Sequence, residues 1–431
     1  MLSFKLESTK HILILCMALL VASTGYLYPV EPDHQELATV HYLSLPVDHA
    51  DPASGVFSGY YVVGPNQSKS KPPVFFIADG QMDMIRPEEK GSAFIEWFDG
   101  NPFILPFVRG FSPELHDRCK HSNGNVDIET ARKIFASWQQ VEDIEAVRLN
   151  LIQKGIILAD GKISIYGASG GGILAQEYVT KYPNFVHKLI LESTGSPVVA
   201  RRNNTTLIRN LVDYNSHLAS ECEQLRSSGF RDIEKLSYVL YNLGRLNVNA
   251  TRSMMDLVLS LKEGRVDAYE SYLKNSMFNL VSTTDRLSMP NRIGTRIRLC
   301  EIWGTEIMKY RERNLSPINL GYEWVSYCLS DLLKYYADNG ASFPSYDFDL
   351  TKFQGETLVI AGTEDVVFSP DMAKNLAKAC NHSVAAILAD GHGMENNWSV
   401  ICKLRQKFLS QPLSLLAKDP RFNCVKFEAM K

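Results

Sequence analysis

This sequence has no strong charge of either sign. Its 45 lysines and arginines face 48 aspartates and glutamates, a net of −3 over 431 residues. So close a balance offers no electrostatic footprint for nucleic acid or for an anionic membrane surface. There is no Cys-x-x-Cys pair and no cysteine–histidine spacing of the zinc-binding kind, so a zinc site is not expected. No internal repeat or low-complexity tract stands out, which argues against a solenoid or a disordered chain. Beyond the N-terminus no run is long and apolar enough to span a bilayer. With 45% hydrophobic and 22% charged residues, the chain has material for a sizeable core, as one large domain or a core with an inserted one.

The N-terminus has a different character. Lys5 and Lys10 precede an apolar run from Ile12 to Ala22, followed by Ser23-Thr24-Gly25. Basic, then apolar, then small residues is the pattern of a secretory signal peptide, here 1–25. The run is short for a membrane helix, although an uncleaved anchor has the same appearance. Sequons support secretion: Asn66, Asn203, Asn204, Asn249, Asn314, Asn381 and Asn397 each begin N-x-S/T. Average composition would give only about two in a chain this long, so a glycosylated, secreted protein is expected. In that compartment Cys119, Cys222, Cys300, Cys328, Cys380, Cys402 and Cys424 read as disulfide formers, with one left over. Cys380 with Cys402 is the first choice, because it would clamp the segment that carries His392.

The chemistry centres on Ile163 to Ile173. A β-prone run ends in Gly167-Ala168-Ser169-Gly170-Gly171, and a helical stretch follows. G-x-S-x-G between strand and helix makes a sharp, strained turn that holds the serine hydroxyl clear of the sheet. Small residues two positions either side are needed to avoid collision. Ser169 is the expected nucleophile, and the Gly170 N–H, at the helix start, faces a developing oxyanion.

Around this turn the chain alternates. Glu36–Asp48 and Val56–Val63 read as an edge hairpin, and Pro73–Ala78 as a strand buried on both faces. Ala93–Phe98 reads as a short helix, Pro102–Val108 as a strand, and Asp127–Lys154 as one long helix. Phe111–Asp127 is irregular. Val186–Glu192 is the strand after the elbow helix. From Ser196 to about Tyr346 no buried strand is evident, and helices are expected at Leu207–Leu218, Ile233–Leu243, Ser253–Lys262, Asp267–Leu273 and Tyr322–Tyr336. Alternation resumes with strand Glu356–Ala361, helix Pro370–Ala379, strand Ser383–Leu388 and helix Asn397–Leu409. The tail offers no clear element. The expected fold is α/β, a mainly parallel sheet covered on both faces, divided as 1–25 signal, 26–195 core, 196–346 helical cap and 347–431 core.

A serine hydroxyl needs a base, and the base needs a carboxylate to hold its tautomer. Asp365 and His392 each follow a late strand, at the carboxyl edge where Ser169 emerges. The order Ser, Asp, His is that of the α/β-hydrolases. Ser169 is therefore read as nucleophile, His392 as base then acid, and Asp365 as orienter. Glu364 and Asp390 are the alternative carboxylates, Asp390 reading as an exposed loop residue. A second oxyanion donor is expected after the Val74–Ala78 strand, at Gly80 or next at Gln81.

Together these blocks resemble the α/β-hydrolase superfamily over nearly the whole mature chain. Within it, Leu45-Pro-Val-Asp48 and Pro106-Phe-Val-Arg109-Gly110-Phe111 resemble segments of the prolyl aminopeptidase and tripeptidyl aminopeptidase family, and Ala78-Asp79-Gly80-Gln81-Met82 stands where that family has its oxyanion loop. The resemblance implies a secreted serine peptidase with no metal or organic cofactor, acting at the amino terminus of short peptides. It also implies an acid in the cap that reads the substrate ammonium, for which Glu301 is the choice. A salt bridge from Glu301 to Arg296 or Arg298 is the plainer alternative. Two other functions stay open: an esterase or lipase acting on small esters, and a non-catalytic binding protein that kept the fold.

Overall fold

The computed structural model describes residues 38–68, 71–78, 85, 94–98, 100–246, 249–274, 293–340, 343 and 346–428. The expected signal segment and both choices for the second oxyanion donor, Gly80 and Gln81, lie outside the described residues. The strands are β1 (Thr39–Pro46), β2 (Val56–Val63), β3 (Val74–Ile77), β4 (Phe103–Pro106), β5 (Ile163–Ala168), β6 (Val186–Glu192), β7 (Glu356–Gly362), β8 (His382–Leu388) and β9 (Lys426–Glu428). They form one sheet in the order β1-β2-β4-β3-β5-β6-β7-β8-β9. β1 and β2 make the antiparallel edge hairpin the sequence predicts, from Thr39↔Val63 to Pro46↔Val56. From β4 to β8 all neighbours are parallel. The tail adds β9 antiparallel to β8, an element its short, mixed sequence does not announce.

The pleat explains why the central strands read as unbroken apolar runs. Phe75 and Ile77 of β3 point into one apolar cluster, and Val74 and Phe76 into the other. β7 divides the same way, Val359 and Ala361 against Leu358 and Ile360. Each strand is thus buried on both faces, and no polar alternation survives. Helices Ser137–Gln153, Gly170–Lys181 and Pro370–Ala379 cover the first face, and Phe94–Phe98 with Trp398–Ser410 the second.

This two-faced cover overturns the expected disulfide. Cys380 ends the helix on the first face, its thiol directed at the Leu376 carbonyl, 3.5 Å away. Cys402 lies on Trp398–Ser410, across the sheet. Disulfide geometry needs Cα atoms within about 7 Å, and a sheet stands between these two. No disulfide links any of the described cysteines.

Between β6 and β7 the described chain is helical, the longest members being Ile233–Leu246, Ala250–Lys262 and Ile293–Glu312. Their apolar residues join the first-face cluster without a break. Ile293–Glu312 has no counterpart among the predicted helices. It buries Ile297, Arg298, Cys300, Ile302, Trp303 and Ile307, among others, so it carries no single apolar stripe to betray it. The helix predicted over 127–154 is two, Ile128–Ile134 and Ser137–Gln153, because Ala136 is extended (φ −54°, ψ 145°). The Ile134 carbonyl freed at the break accepts from Arg109 Nη1 at 2.6 Å. Leu207–Leu218 is likewise divided, into Leu211–Tyr214 and Ser216–Ser227, with Asn215 capping the second. Tyr322–Tyr336 becomes Leu320–Cys328 and Ser330–Asp338. No described helix is long and apolar enough to cross a membrane.

Candidate active site

Ser169 sits between β5 and the helix Gly170–Lys181 with φ 51° and ψ −128°, a backbone conformation L-residues avoid. Glycines make the turn possible. A Cβ on Gly167 would stand 2.7 Å from the Gly171 carbonyl oxygen, and one on Gly171 2.3 Å from that of Ile77. The second approach also brings the carboxyl end of β3 against the elbow. Gly170 opens its helix, where the first N–H groups have no intrahelical acceptor.

Two loops at the same sheet edge complete the constellation. His392, buried in the loop after β8, places Nε2 3.2 Å from Ser169 Oγ. Its Nδ1 lies 2.9 Å from Asp365 Oδ2 and 3.1 Å from Oδ1. Asp365, fully buried after β7, also accepts from the Val367 N–H at 2.7 Å and the Phe368 N–H at 3.1 Å. Those amides fix the carboxylate plane, and the carboxylate in turn fixes the imidazole with Nε2 towards the serine. Glu364, the neighbouring alternative, is exposed. Arg209, which no local motif singles out, holds the loop from outside: its Nη1 donates to the Thr363 and Asp365 carbonyls at 3.1 and 2.9 Å.

Asp390 is not the exposed residue the sequence suggests, being only 1% exposed. It accepts from the Gly391, Asn396 and Asn397 N–H groups and from Asn397 Nδ2. Burial raises its carboxyl above the usual range, and the same donors draw it back. It therefore braces the turn that presents His392. The Asn397 amide is occupied in that brace, since Nδ2 also donates to the Ala389 carbonyl.

Glu301 is in the seam between the inserted helices and the core. Its carboxylate accepts from the Ser137 N–H at 3.1 Å and from the Ser137 hydroxyl, and Arg298 Nη1 lies 3.9 Å away. Arg298, one turn earlier, is the member that reaches the elbow, its Nη2 donating to the Gly170 carbonyl at 3.4 Å. Glu301 lines a cavity of about 180 Å³ with Ser137, Trp138, Glu177, Tyr346 and Phe348. Burial lifts the Glu301 carboxyl above its ordinary value, and it pushes Glu177 up to about 7.

With the elbow, the mainly parallel sheet and the helices on both faces in view, the class is defined. The chain belongs to the alpha/beta hydrolase fold family, which matches residues 129–394. Among solved structures it is similar to 2-hydroxy-6-oxo-6-phenylhexa-2,4-dienoate hydrolase from Rhodococcus sp. strain RHA1, at 15% identity over 87% of this chain and 100% of that one, TM-score 0.41. It is also similar to homoserine O-acetyltransferase from Staphylococcus aureus, at 16% identity over 89% and 100%, TM-score 0.44. No curated protein matches the chain.

Proposed function

We propose that this protein is a secreted serine hydrolase. Ser169 attacks a carbonyl carbon as His392 takes the hydroxyl proton, and Asp365 holds the imidazole and stabilises its charge. The Gly170 N–H, with a second donor at Gly80, receives the oxyanion. His392 then protonates the leaving group, and water attacks the acyl-serine by the same base. The helices of 196–346 form the cap that shapes the substrate pocket, and no metal or organic cofactor takes part. The observation that carries this reading is the continuous Ser169–His392–Asp365 chain, with contacts of 3.2 and 2.9 Å.

For substrate, the resemblance to the prolyl and tripeptidyl aminopeptidases supports amino-terminal cleavage of short peptides. A second reading, a small carboxylic ester, is favoured by the state of Glu301: a carboxylate already held by Ser137 and flanked by Arg298 is poorly placed to receive a substrate ammonium. Fluorophosphonate labelling of the purified protein tests the hydrolase reading, with labelling expected in wild type and lost in Ser169→Ala and His392→Ala. A folded wild type that stays unlabelled would leave a non-catalytic binding protein. In labelled protein, aminoacyl-arylamides against p-nitrophenyl esters decide the substrate class.

A further inference from the structure

Resting on the serine-hydrolase reading, we infer that Ser193 and Thr194 are positioning residues that set the distance between the serine and the histidine. They follow β6 directly and are 3% and 2% exposed. Thr194 Oγ1 donates to the Ser169 carbonyl at 2.5 Å, across a separation of 25 residues. Ser193 Oγ donates to the His392 carbonyl at 2.7 Å, across 199. Adjacent hydroxyls on one rigid strand end thus grip the main chains of the nucleophile and of its base.

The surrounding contacts show why this grip is needed. Ser169 is held in a strained conformation, and a strained residue stays in place only when its neighbours over-determine it. Its N–H donates to the Glu192 carbonyl at 3.0 Å, so the stretch 192–194 fastens both sides of the same residue. Thr194 is wedged against the elbow helix, where a Cβ on Gly172 would fall 2.6 Å from its side chain. Ser193 has φ 45° and anchors its own N–H on the Ile360 carbonyl of β7 at 2.9 Å. Its positive φ aligns its hydroxyl with the histidine loop, as Thr194 is aligned with the elbow. Asp390 braces that loop internally, and Ser193 ties the His392 carbonyl back to the sheet.

The test compares Ser193→Ala, Thr194→Val and Thr194→Ser with wild type, by fluorophosphonate labelling and by kcat and KM for p-nitrophenyl acetate. Melting temperatures are recorded alongside. A displacement on the order of 1 Å in such a pair lowers reactivity by about 100-fold. Loss of either hydroxyl is expected to reduce labelling rate and kcat by roughly 10- to 100-fold, with KM unchanged. Thr194→Ser, which keeps the hydroxyl, restores most of the rate although it, unlike Thr194→Val, loses the methyl that packs beside Gly172. Wild-type rates in folded Ser193→Ala and Thr194→Val, or a Thr194→Ser as slow as Thr194→Val, would overturn the inference while leaving the hydrolase reading intact. If one variant does not fold, the other decides by the same kcat-against-KM split. Unlabelled wild type would remove the hydrolase reading and this inference with it.

Discussion

Glu192 and Asp365 are buried carboxylates at the carboxyl ends of neighbouring parallel strands, yet they have opposite uses. Glu192, the last residue of β6, is met by the Arg405 guanidinium through contacts of 2.8 and 2.5 Å. Arg405 is fully enclosed among the Trp97, Tyr166 and Trp398 rings, its carbon centre 5.1–5.3 Å from their centroids. Burial alone would lower the Arg405 pKa, but the Glu192 charge more than reverses this, and the guanidinium keeps its proton. Nothing can be passed along such a pair. Asp365 instead faces an imidazole whose other nitrogen reaches a hydroxyl. Burial of an acid is common to both; what differs is whether the partner has somewhere to send a proton.

The largest effect that sharpens this contrast is on reactivity. Asp365→Asn keeps the shape but favours the wrong imidazole tautomer, and fluorophosphonate labelling is expected to fall by about 10⁴-fold with little change in melting temperature. Labelling within tenfold of wild type would place Asp365 with Glu192 as structural. Arg405→Met reverses the pattern. It leaves Glu192 buried without its cation, and urea unfolding should show a loss of about 3–5 kcal/mol; an unchanged midpoint would mean the pair does not hold the second face.

Glu177 supplies a smaller, pH-dependent effect. It is a half-buried acid whose Oε2 has no hydrogen bond among the described residues. Burial foremost, and then the Glu301 charge against the opposing pull of Arg298, raise it from 4.5 to about 7. An acid raised on folding costs nothing below its unfolded pKa, where both states are protonated. Stability is then lost as pH rises from that value through the folded one. Glu177→Gln should therefore stabilise the protein by roughly 1–3 kcal/mol at about pH 8 and leave it unchanged near pH 4. Denaturant midpoints at the two pH values check this, and an equal gain at both would deny the ionisation its part.

These differences mark what was legible in the sequence. Ser169, Asp365 and His392 each sit just past a buried strand, beside glycines, in stretches of a few residues. Parallel strands bring all their carboxyl ends to one edge, so local reading was enough to predict that the side chains would converge. Ser193 and Thr194 occupy the same edge, but matter through partners 199 and 25 residues away, and nothing in Glu-Ser-Thr-Gly announces them. Asp390 looked exposed because it lies in a polar loop, whereas that loop folds around it. Ile293–Glu312 was hidden by burial on several sides, and the Cys380–Cys402 pairing failed because the clamp it would put on the His392 segment takes no account of the sheet between the two helices.

The most direct measurement of the central claim is to treat wild-type protein with a fluorophosphonate and map the adduct by peptide mass spectrometry. A single phosphonyl group on Ser169, absent when His392 is replaced by alanine, is the predicted result. An adduct on another residue, or one on Ser169 that forms as fast without His392, would contradict the account.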